Sequence, residues 1–161
     1  MMQTDVQSAY VKSSGILVTP LRTRLKGCVV TSGTSSLRNV GACDPSTVVS
    51  GTYSQTGTTA TLTIANHGLT NGQRVFVDFI TGTSRDGMYN ITYIDANSFS
   101  VTTANTVSTS GNVNVYPDVY MELDTYSTVG LSVLIPGEGI LFPNGIFFGC
   151  GPSVTAMVYY G

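Results

Sequence analysis

Charged side chains are scarce in this chain. They make up 10% of its 161 residues, against about 25% in an average soluble domain, and the net charge is −2 at pH 7. This charge excludes a general electrostatic attraction to nucleic acid or to an anionic membrane. The sequence also lacks an apolar run long enough to cross a bilayer as a helix. Its start, MMQTDVQSAY, has neither the basic nor the apolar region of a secretory signal. We therefore expect a protein that is made in a cytoplasm and is not bound to a membrane.

The residues that most often carry chemistry are few as well. Cys28, Cys43 and Cys150 are an odd number of cysteines without a CxxC pair, which argues against a zinc site and a disulfide framework. We expect free thiols, although one pair could be bridged if the fold brought it together. His67, the one histidine, lies beside Gly68 in a turn, and the sequence has no GxSxG motif. We predict that its imidazole bonds a local backbone group, and we predict no catalytic, cofactor-binding or metal-binding residue.

Helical periodicity is missing, and strand patterns take its place. Thr and Ser number 23 and 17, and Thr favours strands. Three runs alternate with period two in the middle of the chain: Ala60-Leu62-Ile64, Val75-Val77-Phe79 and Tyr89-Ile91-Tyr93. Asn71-Gly72 and Asp86-Gly87 are turn signals between them. The pattern predicts an all-β fold with a compact antiparallel module of four or five short strands in this region.

The two ends of the chain supply the remaining strand patterns. The last one, Val154–Tyr160, needs a pairing partner, and the early strands are too few to form a stable sheet alone. We therefore predict an outer β-sandwich or jelly-roll-like domain from residues 1–50 and 117–161, with residues 51–116 as an inserted module. Two consecutive domains and one continuous sandwich are the alternatives. Residues 31–50 look like a loop.

A basic stripe is the most distinctive local feature. Arg22, Arg24 and Lys26 alternate, so in a strand they project from one face. One interpretation is a docking surface for an acidic partner. Another is pairing with Glu122 and Asp124, which share one strand face in the same protomer. That acidic pair could also resemble the two carboxylates of a glycosidase, although pairing with the positive charges of the stripe is the simpler role. Contact with DNA is a third alternative for the stripe, but three cations give only a weak interaction.

Adjacent apolar residues near the end of the chain point to a covered sheet. In Ile146-Phe147-Phe148 both faces of the strand are apolar, and such a strand needs a layer on each side. One layer can be the core of the domain, and we expect the other to be a further subunit. We therefore predict that Arg22, Arg24, Lys26, Phe147 and Met157 form the partner interface.

Two stretches resemble known proteins. The run ATLTIANHGLTNGQRVFVDF with DGMYNITYIDANSFSVT resembles a small β module of tailed-bacteriophage virion proteins. The segment YPDVY and the ending IPGEGILFPNGIFFGCGPSVTAMVYYG are similar to small all-β structural proteins of marine and cyanobacterial phages. The resemblance covers most of the chain and includes no catalytic motif.

The resemblance implies a non-enzymatic structural protein of the virion, made in the cytoplasm of the host bacterium. Within that class we favour a capsid decoration or cement protein, which implies the major capsid protein or other virion subunits as partners. It also implies a homo-oligomer, with a trimer favoured. The alternatives are a head–tail junction, collar or tail component, or a receptor- or glycan-binding fibre domain. The absence of Trp, a favoured sugar-stacking residue, weakens the last of these.

Overall fold

The structure, a computed structural model, describes residues 6–18, 20–125 and 130–161. These residues form β-strands and a single 3₁₀ turn at Pro45–Thr47, with no α-helix among them. All of the strand pairs are antiparallel. The predicted all-β fold is therefore confirmed.

Sheets A and B take their strands from both ends of the chain. Sheet A has the order β1-β14-β3-β11, with β12 also paired to β3. Its strands are β1 (Gln7–Val11), β3 (Thr23–Ser32), β11 (Leu131–Leu134), β12 (Ile140–Phe142) and β14 (Val154–Tyr160). Sheet B has the order β10-β4-β13-β2. Its strands are β2 (Gly15–Val18), β4 (Arg38–Cys43), β10 (Val119–Thr125) and β13 (Ile146–Cys150).

The two sheets form a β-sandwich with a shared apolar core. Leu25, Cys28 and Val30 contribute from sheet A, and Val40 and Phe148 contribute from sheet B. Strand β3 alternates between buried and partly exposed residues on either side of one irregularity, where Gly27 and Cys28 are both buried. The expected pairing of the last strand is also present, because β14 lies between β1 and β3.

The predicted loop over residues 31–50 is wrong in its middle. Strand β3 continues to Ser32, and β4 occupies Arg38–Cys43. Strand β4 carries small residues, with Gly41 beside Ala42, and this composition resembles that of a loop. The glycine at position 41 has a structural reason, because the ring of Phe76 packs directly against it and leaves no room for a side chain.

Sheet C consists of strands from the middle of the chain. Its order is β5-β9-β6-β7, with β8 paired to β9. The strands are β5 (Val49–Thr63), β6 (Arg74–Phe79), β7 (Gly87–Asn90), β8 (Thr92–Asp95) and β9 (Ser98–Tyr116). Strand β5 curves so strongly that Gly51 lies against the backbone of Thr63, where a Cβ would be 2.2 Å from the carbonyl oxygen. The sheet thus curls around its own core.

The alternating runs of the sequence line that core, as predicted. The buried cluster includes Ala60, Leu62, Ile64, Val75, Val77, Phe79, Tyr89 and Ile91. Tyr93 is the exception and is 45% exposed, because β7 ends at Asn90 and β8 turns away to pair with β9. The predicted single strand through Tyr89, Ile91 and Tyr93 is therefore two strands.

A third apolar cluster joins sheet C to sheet B. Phe76 of β6 lies flat on Gly41 and Gly149, which are direct cross-strand partners in sheet B. Tyr116 stacks on Phe147 with ring centroids 3.6 Å apart. Independent folding of residues 51–116, and the boundaries given above, stay predictions. The packing shows that the two parts of the chain share buried surface.

Candidate partner-binding face

The surface of sheet A that points away from the sandwich collects most of the predicted interface residues. In β3, Leu25, Cys28 and Val30 are fully buried, whereas Arg24, Lys26 and Val29 are partly exposed. A register shift in the pairing with β14 lies beside Lys26 and Gly27, and a bulge of this kind changes the alternation of a strand locally. It leaves Lys26 and Val29 on one surface, which we call the sheet A outer face.

Apolar side chains form a row across the middle of this face. Tyr10 of β1 pairs with Met157 of β14, and Met157 pairs with Val29 of β3. Tyr10 is 58% exposed, and the other two side chains are half-buried. Between them lies a shallow depression of about 290 Å³, which Thr31 and Thr155 also line. The row gives three neighbouring strands a continuous apolar surface.

A second apolar row lies one step along the strands. Tyr159 and Leu134 both pair with Gly27, one from each side. Leu134 is 85% exposed, so the row lies open to solvent. Together the two rows form a patch of the kind that marks interaction sites when it is rimmed by polar groups.

Basic side chains supply that rim. Lys12 lies over the Tyr10 ring, with Nζ 5.5 Å from the centroid, and Arg22 is exposed at the start of β3. Arg24 lies 4.0 Å from the Glu138 carboxylate, and its guanidinium donates to the Gly139 carbonyl oxygen. Lys26 donates to the Glu138 carbonyl oxygen at 2.9 Å. These bonds hold Arg24 and Lys26 in place, and they leave the face rich in positive charge.

The proposed pairing of this stripe with Glu122 and Asp124 is wrong. Glu122 accepts hydrogen bonds from Arg74 of β6, so it joins sheet B to sheet C. Asp124 accepts a hydrogen bond from the amide of Asn39 in the neighbouring strand. Strand β10 carries both carboxylates and pairs in sheet B, whereas β3 belongs to sheet A. The stripe therefore faces a different acidic residue, Glu138.

Phe147 requires a correction of its predicted place. Its side chain is 1% exposed and packs between Tyr116 and Phe76 of sheet C. The second covering layer that we expected from another subunit is supplied by the same chain. Met157, Arg24 and Lys26 do lie on the sheet A outer face, and Arg22 is exposed immediately before β3; the role of all four in binding a partner stays a prediction.

The predicted interface does not include Tyr10, Val29, Leu134 or Tyr159. Strand β1 was not recognised because its sequence, QSAYV, is short and half polar. The sequence signal that could have found Tyr10 is the short run Ala9-Tyr10-Val11. In a strand, Ala9 and Val11 point to the core and Tyr10 points to the opposite face. Which strands lie side by side depends on long-range pairing, so the rows themselves could not be predicted.

His67 has the local structural role that the sequence predicts. Its Nδ1 accepts a hydrogen bond from the Leu69 backbone N–H at 3.0 Å, and its Nε2 lies 2.9 Å from the Asp95 carbonyl oxygen. Because Nδ1 is the acceptor, the neutral ring carries its proton on Nε2 and donates it to Asp95. The ring also packs edge-on against Phe99. Both nitrogens are therefore occupied by the backbone.

The cysteines are free in the structure, and all three are buried. Burial raises the pKa of Cys28 to about 11 and, together with the nearby Cys28, raises the pKa of Cys150 to about 12. Burial and Asp118 likewise raise the pKa of Cys43. A raised thiol pKa leaves little thiolate near neutral pH, and the thiolate is the reactive form. These thiols therefore behave as small apolar core residues.

Asp86 is the carboxyl group whose ionisation the fold disfavours most clearly. Burial raises its pKa to about 7, the Phe79 N–H that it accepts opposes this rise, and the nearby Asp78 adds to it. Burial also raises the pKa of Asp78. The Asp86 backbone lies close to Gly151, the residue that follows β13 of sheet B.

Across residues 6–18, 20–125 and 130–161, no group of three or more His, Cys, Asp or Glu side chains is arranged to hold a metal ion. None of the described segments is a helix long and apolar enough to cross a membrane.

Comparison with known proteins gives little beyond this. No protein-family model matches the chain, and no curated protein matches it. Among solved structures, one match is to a chain named "Phage phi92 endosialidase", with 18% identity and a TM-score of 0.31. The match covers 80% of this chain and 20% of that chain. A similarity at this level is too low to support an argument about fold or function.

Proposed function

We propose that the chain is a non-enzymatic structural component of a tailed-phage particle, and specifically a decoration or cement protein of the capsid. The observation that carries the proposal is the sheet A outer face, where two apolar rows meet a basic rim. The resemblance of the sequence to phage virion modules supports the class of particle. The mechanism is burial of this face against virion subunits, the major capsid protein first among them.

Copies of the chain acting together would increase the strength of attachment. A single shallow patch with exposed charges gives modest affinity, because exposed ion pairs contribute about 1 kcal/mol or less each. An oligomer binds a particle far more tightly than a single copy does. Once one copy is bound, the others are held close to their own sites on the shell, at a high effective concentration. A trimer on a symmetric shell would use the effect in this way. Assembly would follow synthesis in the host cytoplasm, where the buried thiols remain reduced.

The proposal can be tested by attachment to particles. The expressed chain would be mixed with purified particles that lack it, and bound protein would be measured by co-sedimentation. Replacing Arg22, Arg24 and Lys26 by Gln removes three positive charges from the face and should weaken attachment. The matched control replaces Thr52, Thr56 and Thr102 by Glu, which changes the net charge equally on exposed positions of sheet C. We expect the control to bind as the wild type does.

Two results would overturn the proposal. One is a chain that quantitative mass spectrometry does not find in purified particles. The other is attachment that is equal for the face variant and the control, because the contact would then lie elsewhere on the molecule. Attachment confined to isolated tails or collars would favour the alternative position on the particle.

A further inference from the structure

The depression in the sheet A outer face is large enough to receive one apolar side chain. Its lining is largely apolar and consists of Tyr10, Val29, Ala156 and Met157, together with Thr31 and Thr155. Its volume of about 290 Å³ exceeds that of a single leucine or phenylalanine side chain. An apolar group inserted there would remove three partly exposed apolar residues from water, which is the main source of affinity at such contacts.

The charges are placed at both ends of this depression. Strands β1 and β3 run in the same direction, since each is antiparallel to β14. Lys12 therefore lies beyond one end, two residues after Tyr10, and Lys26 and Arg24 lie beyond the other. At about 3.3 Å per residue, Lys26 is about 10 Å and Arg24 about 17 Å from Val29 along the strand. In the described part of the chain, the Glu138 carboxylate lies 4.0 Å from Arg24, and Lys26 donates to the backbone carbonyl oxygen of the same residue.

The spacing of these groups matches an extended segment. Side chains at every second position of a strand point to the same side, about 7 Å apart. Carboxylates two and four residues from an anchor then lie about 7 and 13 Å away from it. The flexible side chains of Lys26 and Arg24 span the remaining distance, and a further carboxylate two residues on the other side reaches Lys12.

We propose that this face binds an extended acidic segment of a partner virion subunit. Its apolar anchor, a leucine or an aromatic residue, fills the depression between Tyr10 and Val29. Carboxylates at alternate positions bind Lys26 and Arg24 on one side and Lys12 on the other. Charge complementarity argues for this occupant, because three of the seven basic side chains of the chain, Lys12, Lys26 and Arg24, lie beyond the two ends of the depression. The inference depends on the proposed function for the identity of the partner, but its chemistry can be tested separately.

The test uses synthetic peptides and the complete chain. The probe is a fluorescein-labelled peptide, Ser-Glu-Ser-Glu-Ser-Leu-Ser-Glu-Ser, together with its reversed sequence. One control peptide replaces Leu by Ser, and another replaces each Glu by Lys. Fluorescence anisotropy should show that one or both acidic Leu peptides bind. Either control should bind between about fivefold and thirtyfold more weakly, as expected for losing about 1 to 2 kcal/mol of contact, and added salt should weaken binding.

Two further measurements locate the contact. With methyl-labelled methionine, the Met157 resonance should shift on titration, whereas that of buried Met88 should not. Tyr10→Ser should weaken binding about as much as loss of the anchor does. Its matched control, Ile94→Ser, removes a similarly exposed apolar side chain from sheet C and should bind normally.

Several outcomes would overturn the inference. Equal binding of the acidic and basic peptides, an unmoved Met157 resonance, or no binding by any peptide would each contradict it. So would preferential binding of a labelled single-stranded oligonucleotide, which would assign the basic rim to nucleic acid. If particles bind the chain through this face but the peptides do not bind, the inference fails and the proposed function stands. If the peptides bind but purified particles lack the chain, the proposed function fails and the chemistry of the face stands.

Discussion

The glycine pair beneath Phe76 fixes sheet C to the sandwich and allows a sharp prediction. A Cβ on Gly149 would lie 2.4 to 2.6 Å from three atoms of the Phe76 ring, and a Cβ on Gly41 would lie 2.9 Å from Cδ2. Carbon atoms in contact are normally separated by about 3.5 Å or more. In Gly149→Ala the ring must therefore move by about 1 Å. Because Phe76 is completely buried, that movement disturbs a packed core and should cost about 1–3 kcal/mol.

The measurement is urea-induced unfolding followed by circular dichroism, combined with a double-mutant cycle. Phe76→Ala alone should cost about 3–5 kcal/mol, as a large truncation in a core does. In a chain that already carries Phe76→Ala, Gly149→Ala should lower the free energy of unfolding much less, because the ring that its Cβ would collide with is absent. The coupling energy should therefore be about 1–3 kcal/mol.

A matched substitution controls for the change from glycine to alanine itself. Gly15 also lies in a strand of sheet B, and nothing lies within 4 Å of an added Cβ. Gly15→Ala should change stability by no more than about 0.5 kcal/mol. If Gly149→Ala costs the same with and without the Phe76 ring, the contact is not the cause and our account of the junction is refuted.

Three other predictions concern the interior of the molecule. Because the pKa of Asp86 is raised to about 7, the folded state keeps a proton that the unfolded chain releases near pH 4. Stability should therefore fall between about pH 4 and pH 7, by up to about 1.4 kcal/mol per pH unit, and this contribution should be constant above pH 7. Asp86→Asn should flatten the profile in urea titrations, and an unchanged slope would reject the assignment. His67→Phe keeps the ring but leaves the Leu69 N–H without its acceptor, which should cost about 1–3 kcal/mol in thermal unfolding; a cost near zero would contradict its role. Residues 51–116 expressed alone should unfold cooperatively and bind an apolar dye through the surface that sheet B normally covers. Noncooperative unfolding would reject the inserted-module organisation.

The sequence predicts the core of sheet C well because local alternation decides it. Leu62 and Val75, for example, each lie in a run where the pattern alone identifies the buried face. Strand β4 was not predicted because it contains a glycine, Gly41. A side chain at this position would collide with Phe76, a residue in a different sheet. No local rule connects two positions so far apart in the chain.

The candidate face shows the same division between local and long-range information. Alternation places Arg24 and Lys26 on one side of a strand, and the structure agrees. The acidic residue that they contact depends on the path of the chain after Pro136, which brings Glu138 to β3. For Phe147, the expectation of a second layer was correct, but the sequence does not reveal that sheet C supplies it.

A reconstruction of the intact particle by electron cryomicroscopy tests the central claim most directly. Our account predicts density for this chain on the shell, with Tyr10 and Met157 of the sheet A outer face turned towards a virion subunit. An extended segment of that subunit should lie across β14, between Lys12 and Lys26. Density in which the sheet A outer face points into solvent, with another surface of the chain against the shell, would contradict the account.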